Sequence, residues 1–313
     1  MSSPIVVKDA ADFGKVAVVM GGTSAERDIS INSGGAVLAA LLRAGVNAVG
    51  LEVAANPLEV LQNAGFDRVF NIVHGRGGED GEMQGALQSI GLPYTGSGVL
   101  GSALSMDKVK TKLCWAGESL PTPPWMVLKA ESDLVCCESQ LGFPVIVKPA
   151  LEGSSMGISK VNNSNELAQA WKTAAEHNCE VFAEAWIAGR EYTVGFLKDQ
   201  YLPLIRLETP NAFYDYEAKY CSNSTQYHCP AGLDSDREEE LQQLANRACE
   251  VVGVTGWGRV DLLIDEEDSP WLIEVNTVPG MTDHSLVPMA AKAAGISFDA
   301  LVWRILETSI TTS

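Results

Sequence analysis

Two stretches in the last third of the chain hold the residues best suited to chemistry. "GRVDLLID" places Asp261 inside an apolar run, and "WLIEVNTVPGMT" places Glu274 and Asn276 two positions apart in the next. Residues i and i+2 of a strand share a face, so Glu274 and Asn276 point the same way. If the two runs pair as a hairpin across "EEDSP", Asp261 can face them. Two carboxylates and an amide oxygen, without histidine or cysteine, form a hard-oxygen set suited to Mg2+ or Mn2+. An exposed polar sheet face is the plainer reading of any one of these residues. Acids inside otherwise apolar strands weaken that reading, because a buried charge must be compensated.

Upstream, "LEGSSMGISK" (151–160) has the small, flexible composition of a phosphate-cradling loop. It follows "GFPVIVKPA", a strand-like run ending near Lys148, while Lys108 opens a helix. Each lysine alone reads as a solvated surface residue. Together with the loop they imply two cations flanking phosphates, with backbone N–H groups as further anion donors. The Walker pattern, in which lysine directly follows the last glycine, occurs nowhere. "GGTSAER" is not G-x-G-x-x-G, so the nicotinamide fingerprint is absent, although a ligand near a strand's carboxyl end suits it. "HGRGGEDG" (74–81) also follows a strand, as a flexible polar loop with His74 and Glu79. A lone histidine usually packs or lies at the surface. At a strand's carboxyl end, facing the same crevice as Glu26, His74 reads as a substrate-positioning group.

The elements that must position these groups fall into three blocks. In the first hundred residues "KVAVVM", "VNAVGLEV" and "DRVFNIVH" alternate with helical patterns over 29–42 and "EMQGALQSIG", which implies a parallel sheet with helices on its faces. A polar-basic helix, "MDKVKTKLCWAG", leads into the Pro-rich "LPTPPW", a lobe boundary. Strands at 125–128, 144–149, 157–161 and 180–187 then alternate with helices near 131–141 and 164–176, as a small α+β lobe. The third block holds "EYTVGFLK", "LPLIRLE", a long polar-aromatic loop over about 209–230, a helix over 234–252, the two acidic strands and a final helix over 298–307. A loop of that length in a compact domain is usually functional.

Bulk properties narrow the field. With 313 residues, 46% hydrophobic and 20% charged, the chain can bury a full core in about two domains or one multi-lobed enzyme. A net charge of −18 argues against nucleic-acid or membrane-surface partners, which need basic patches. No apolar run reaches the roughly 18–20 residues of a membrane span, and the N-terminus does not read as a secretory signal. The seven cysteines (114, 136, 137, 179, 221, 229 and 249) contain no C-x-x-C pair and read as reduced thiols in a cytoplasmic protein.

"GGTSAER", "HGRGGEDG", "YTGSG", "SMDK", "VKPALEGSSMG", "FYDYEAKY", "GWGRVDLL", "EVNTVPGMT" and "HSLVPMAA" occur in order over about residues 15–295. In them the chain resembles the D-alanine–D-alanine ligases of the ATP-grasp superfamily. The resemblance implies a mixed α/β and α+β protein with the three-lobed ATP-grasp fold. Its parts would be an N-terminal Rossmann-like parallel-sheet lobe (1–105), a central lobe carrying a glycine-serine lid (106–188), and a C-terminal lobe with the long loop and a Mg site (189–313). It also implies a cytoplasmic homodimer that makes D-alanyl-D-alanine for peptidoglycan from D-alanine and ATP. By the same resemblance Glu26, near His74 and Glu79, holds the first D-alanine, and Glu26, Ser154 and Tyr220 form a hydrogen-bonded set across the lobes. Arg259 and the Gly280 N–H would steady the carboxylate and the oxyanion, and Ser285 and Leu286 would take the second carboxylate. Lys108, Lys148 and Lys219 go to the phosphates, with Ser155 also on ATP. Glu184, Trp186, Ile187 and Glu191 go to adenine and ribose, and Asp261, Glu274 and Asn276 to two Mg2+ or Mn2+. Relatives often carry a lysine where this chain has Ala185, a departure at one adenine contact. The rival readings are a D-alanine–D-lactate ligase, a non-catalytic nucleotide-binding regulator on the same fold, and a dinucleotide oxidoreductase.

Overall fold

The computed structural model describes residues 7–54, 58–198, 200–210 and 225–310. The chain opens with β1 (Lys15–Gly21), α1 (Arg27–Arg43), β2 (Asn47–Val53), α2 (Leu58–Asn63), β3 (Arg68–Asn71) and α3 (Glu82–Ser89). Its three strands form a parallel sheet in the order β2-β1-β3. Residues Val16 to Val19 of central β1 are all buried. A parallel strand covered on both faces needs an unbroken apolar run rather than an alternating one. The loops at the carboxyl ends of β1 and β3 are "GGTSAER" and "HGRGGEDG", and the first delivers Glu26 to the N-cap position of α1.

Next come α4 (Val99–Met106) and α5 (Lys108–Gly117). The sequence gives no helix at α4, because "VLGSALSM" mixes glycine and serine into its apolar residues. It gives a single helix from Met106, whereas the chain breaks at Asp107. The Asp107 carboxylate accepts from Val109 and Lys110 N–H, at 3.0 Å each. An aspartate satisfying two orphan N–H groups is a strong N-cap. It fixes Lys108 as the first residue of α5.

β4 (Trp125–Val127), α6 (Glu131–Leu141), β5 (Val145–Pro149), β6 (Ser159–Val161), α7 (Ser164–Ala175) and β7 (Val181–Ala185) follow. The strands form an antiparallel sheet in the order β4-β7-β5-β6. Val145, Val147 and Ala183 pack against Leu167 and Ala174 of α7. Strand alternation then sends Ile146, Lys148 and Glu184 to the other face, where all three line a cleft.

The remaining elements are β8 (Gly189–Leu197), β9 (Gln200–Tyr201), β10 (Ile205–Glu208), β11 (Gln226–His228), α8 (Ser235–Val252), β12 (Trp257–Asp265), β13 (Pro270–Asn276), α9 (Leu286–Ala293) and α10 (Phe298–Glu307). The third sheet runs β11-β10-β8-β12-β13, with β9 on β8. β11 lies within the segment read from sequence as loop; its polar "QYH" pairs with β10 through Arg206 and His228. Val260, Leu262, Leu272 and Val275 pack on Leu241 and Ala245 of α8. On the opposite face Arg259 pairs with Asn276 and Asp261 with Glu274, as the hairpin reading requires. The register shifts between Asp261 and Leu262, so Leu262 pairs with Leu272 and Ile273 is extra. This bulge lets Leu272 enter the core while Ile273 and Glu274 both reach the cleft, a use of bulges common beside active sites.

α5 joins the second and third sheets. Val109 packs with Ala150 and Phe182, while Trp115 sits in the α8 core and donates its indole N–H to Ala248 O at 3.0 Å. Ile305 and Leu306 of α10 share a core with Val16, Val18 and Phe70 of the first sheet. Among the described residues no single helix is long and apolar enough to cross a membrane.

Candidate active site

The second and third sheets face each other across a cavity of about 480 Å3. Lys108, Lys148, Ser155, Glu184, Glu191 and Asp261 line it, and so do Trp186, Ile187, Ala185 and Glu274. At its base the Glu184 carboxylate is ion-paired with Lys148 and, at 2.7 Å, with Lys112. Burial alone would raise the Glu184 carboxyl, but Lys112 and then Lys148 outweigh it and hold it down at about 2. Burial pulls the Lys112 ammonium below its ordinary value in spite of Glu184, since it shares that carboxylate with Lys148. The two directions are compatible: one anion between two cations is well stabilised, while each cation has only part of an anion. Lys160 stands 3.7 Å over the Trp186 ring, a cation–π contact at the cleft wall.

A second, smaller chamber of about 50 Å3 lies beside this cleft. It is lined by Glu26, His74 and Glu79 from the first lobe, Ser154 from the glycine-serine loop, and Arg259, Asn276 and Gly280 from the third. Lys108 and Glu274 line both cavities and form an ion pair of 3.2 Å between them. The shared wall is therefore charged on both sides. Beside it, Asp261 accepts from Arg259 at 3.0–3.1 Å and from the Thr193 hydroxyl at 2.6 Å.

The glycine-serine loop closes over the chamber. Met156 N–H bonds Gly153 O at 3.0 Å, and the two central residues of that turn, Ser154 and Ser155, carry φ of 50° and 59°. Two non-glycine residues in the left-handed region cost about 1 kcal/mol each, so other contacts must hold the loop. One is the Ser154 hydroxyl, which donates to Glu26. A Cβ on Gly153 would lie 2.7 Å from the Glu26 carboxylate, so a side chain there would push Glu26 aside.

His74 is buried and its Nδ1 lies 2.7 Å from Val278 O. A carbonyl only accepts, so Nδ1 carries the proton and Nε2 faces the Ser33 hydroxyl at 3.4 Å. Burial, more than any charge nearby, lowers the His74 pKa and keeps the ring neutral. Ser33 also accepts from Met281 N–H at 3.1 Å, tying α1 to the loop before α9. Glu79 accepts from Gly75 N–H at 2.7 Å and so braces the His74 loop.

Burial, then the nearby Glu26 carboxylate, pushes the Glu79 carboxyl up to about 8. The folded protein thus holds a proton that the unfolded chain, near 4.5, has lost. The resulting stabilisation is complete below about pH 4.5 and disappears as pH rises through 8. Lys108 and Arg259 oppose the shift without cancelling it. Glu79→Gln keeps an acceptor for Gly75 and removes the charge. It is expected to flatten the stability profile between pH 5 and 9 and to be the more stable form above about pH 8. Denaturant midpoints measured across that range check this; a variant that loses stability as steeply as the parent refutes it.

Of the other residues singled out in sequence, Ser285 holds the N-cap position of α9 without a side-chain capping bond, and Leu286 is its first residue. Neither lines the chamber: the Ser285 hydroxyl accepts from Thr282 N–H at 2.9 Å, immediately behind Gly280. Lys219 and Tyr220 lie outside the described residues. The sequence reading missed Lys112, Ser33 and Arg76. Lys112 was detectable, because it follows Lys108 by four residues and so shares its helix face.

Two antiparallel sheets closing on a cleft of lysines and acids, beside a parallel-sheet lobe that completes a second chamber, define an ATP-grasp enzyme. The chain belongs to the D-alanine–D-alanine ligase family. The family described as "D-ala D-ala ligase C-terminus" matches residues 114–307, and "D-ala D-ala ligase N-terminus" matches 55–97. A D-alanine–D-alanine ligase of Methylococcus capsulatus is 64% identical over 303 residues, covering 97% of this chain and 98% of that protein. Among solved structures, the D-alanine–D-alanine ligase of Bacillus anthracis complexed with ATP aligns with a TM-score of 0.81 at 33% identity, over 94% of this chain and 96% of that one. The VanG D-Ala:D-Ser ligase of Enterococcus faecalis aligns at 0.83 and 28% identity, over 95% and 99%.

Proposed function

We propose that the protein joins two D-alanines at the expense of ATP, releasing ADP and phosphate, to supply D-alanyl-D-alanine for peptidoglycan. The observation that carries this reading is the wall shared by chamber and cleft, Lys108 with Glu274. A carboxylate held in the chamber would meet the γ-phosphate of a nucleotide in the cleft at this shared wall, formed among the described residues by Lys108 and Glu274.

Glu26 holds the ammonium of the first D-alanine, with neutral His74 fixed beside it, and Arg259 holds its carboxylate. An oxygen of that carboxylate attacks the γ-phosphorus, the bond to ADP breaks, and an acyl phosphate forms. Lys108 and Lys148 offset the charge on the phosphates, with Ser155 and Lys219 as further contacts. Glu184, Trp186, Ile187 and Glu191 receive adenine and ribose. The second D-alanine, its carboxylate at the start of α9 by Ser285 and Leu286, loses a proton and attacks the acyl carbon. Arg259 and the Gly280 N–H stabilise the oxyanion, and phosphate leaves as the amide forms. Ser154 on Glu26, with Tyr220, keeps the loop closed so that water does not reach the acyl phosphate.

Asp261, Glu274 and Asn276 form an all-oxygen donor set, two of them directly opposed across the hairpin, and this fits Mg2+ or Mn2+. Bound there, two such ions would neutralise phosphate charge. The division into three lobes at about 105 and 188, a cytoplasmic location, where ATP is abundant, and a homodimer complete the reading. In favour of the dimer, β2 is an edge strand among the described residues, and Asn47, Val49, Gly50 and Glu52 on it are exposed.

The test is a product analysis with ATP, D-alanine and equimolar D-lactate at neutral pH, sizing the same preparation by sedimentation. Dipeptide and phosphate in equal amounts from a dimer are expected. Depsipeptide as the main product, or ATP binding without turnover, overturns the assignment.

A further inference from the structure

Arg76 belongs to the same loop as His74 but points away from the chamber, across the lobe boundary. Its guanidinium donates to Leu151 O at 3.4 Å and to His177 O at 2.8 Å, and lies 2.9 Å from the Glu152 carboxylate. The adjacent carbonyl, Glu152 O, accepts from Lys108 Nζ at 2.7 Å. Two consecutive carbonyls, at the point where the glycine-serine loop leaves β5, are thus held by two cations. One comes from the amino-acid lobe and the other from the wall between the two cavities. Glu152 itself lines the nucleotide cleft. At the loop's far end the His177 ring packs on Gly157, whose Cβ position lies 2.6 Å from Nε2. Arg76 therefore grips the root of the loop and the turn that supports its far end.

From this juxtaposition we infer that Arg76 is a positioning residue: it locks the root of the glycine-serine lid to the His74 loop and so keeps water from the acyl phosphate. The inference rests on the ligase reading above. The Ser154 contact with Glu26 closes the tip of the lid, but two left-handed residues make that tip unfavourable by itself. A planar guanidinium reaching three acceptors supplies directional hold that a single hydroxyl lacks. When the lid opens early, water adds to the acyl carbon and phosphate leaves, regenerating D-alanine and spending one ATP without a peptide bond.

The experiment compares phosphate and dipeptide formed by the parent, Arg76→Ala, Arg76→Lys and Glu152→Gln, with the KM for ATP. The parent is expected to release one phosphate per dipeptide; failure to form dipeptide refutes the ligase reading rather than this one. Arg76→Ala is expected to release at least about twofold more phosphate than dipeptide, with a raised KM for ATP. Arg76→Lys, able to keep the Glu152 ion pair but not three acceptors, is expected to fall between. Where Arg76→Ala does not fold, as judged by circular dichroism, Glu152→Gln decides, with a smaller excess expected. Equal phosphate and dipeptide with an unchanged KM in the folded variants overturns the inference, however slow the turnover.

Discussion

Glu274→Gln is expected to lower phosphate release at least about 100-fold while leaving the fold intact, with some loss of stability because the buried Lys108 loses the charge of its partner. Loss of a residue that merely supports a metal ligand typically costs 10–100-fold, and a ligand itself at least as much. Glu274 also has a second partner: it supports the Lys108 ammonium. Burial would depress that ammonium, but Glu274, followed by Glu79 and Glu26, raises it. Glutamine has the same shape and keeps an acceptor for Lys108, so packing is preserved while both charge functions are lost. The measurement is steady-state turnover as a function of Mg2+ concentration, beside a far-ultraviolet spectrum. Activity within about threefold of the parent and an unchanged Mg2+ dependence would refute the metal assignment.

Much of this wall was legible in the sequence. Strand periodicity put Glu274 and Asn276 on one face, and the turn residues after Asp265 gave the hairpin that brings Asp261 opposite. The bulge at Ile273 was not legible, because "WLIEVN" alternates equally well without it; only packing of Leu272 against α8 shows where the extra residue must go. The break at Asp107 was hidden for a similar reason: "MDKVKTK" suits a continuous helix, and the cap emerges only when Lys108 N–H is drawn to Ala150 O. The β1 loop, the His74 loop and the glycine-serine loop were each recognisable by composition. Their convergence on Glu26 came from the family resemblance rather than from composition, since contacts such as Ser154 to Glu26 span 128 positions. Arg76 escaped notice because its partners are chiefly backbone carbonyls, which leave no trace in side-chain identity.

Lys112→Met is expected to cost about 3 kcal/mol of stability, as removal of one member of a buried ion pair does, and to weaken ATP binding as well. The Lys112 side chain is 1% exposed, and its ammonium contacts Glu184 at 2.7 Å and the Thr122 hydroxyl at 2.6 Å. Thr122 in turn donates to Leu272 O at 2.9 Å, so the ammonium links the floor of the nucleotide cleft to the bulged strand. Methionine matches the unbranched stem and leaves little void, which isolates the charge from the packing. Without Lys112, the Glu184 carboxylate keeps, among the described residues, Lys148 as its ion-pair partner, and Lys148 lines the cleft and is proposed to serve the phosphates. Burial then drives the carboxyl up from about 2, and the proposed adenine site loses a fixed charge. Lys112→Met with Glu184→Gln is expected to recover at least half of the lost stability, because the orphaned carboxylate is gone, without restoring ATP affinity. Melting and ATP titration of the four proteins in this cycle separate the two effects. A single variant as stable as the parent would show that Lys148 alone satisfies Glu184. A double variant no better than the single would show that the loss comes from packing around α5 rather than from charge.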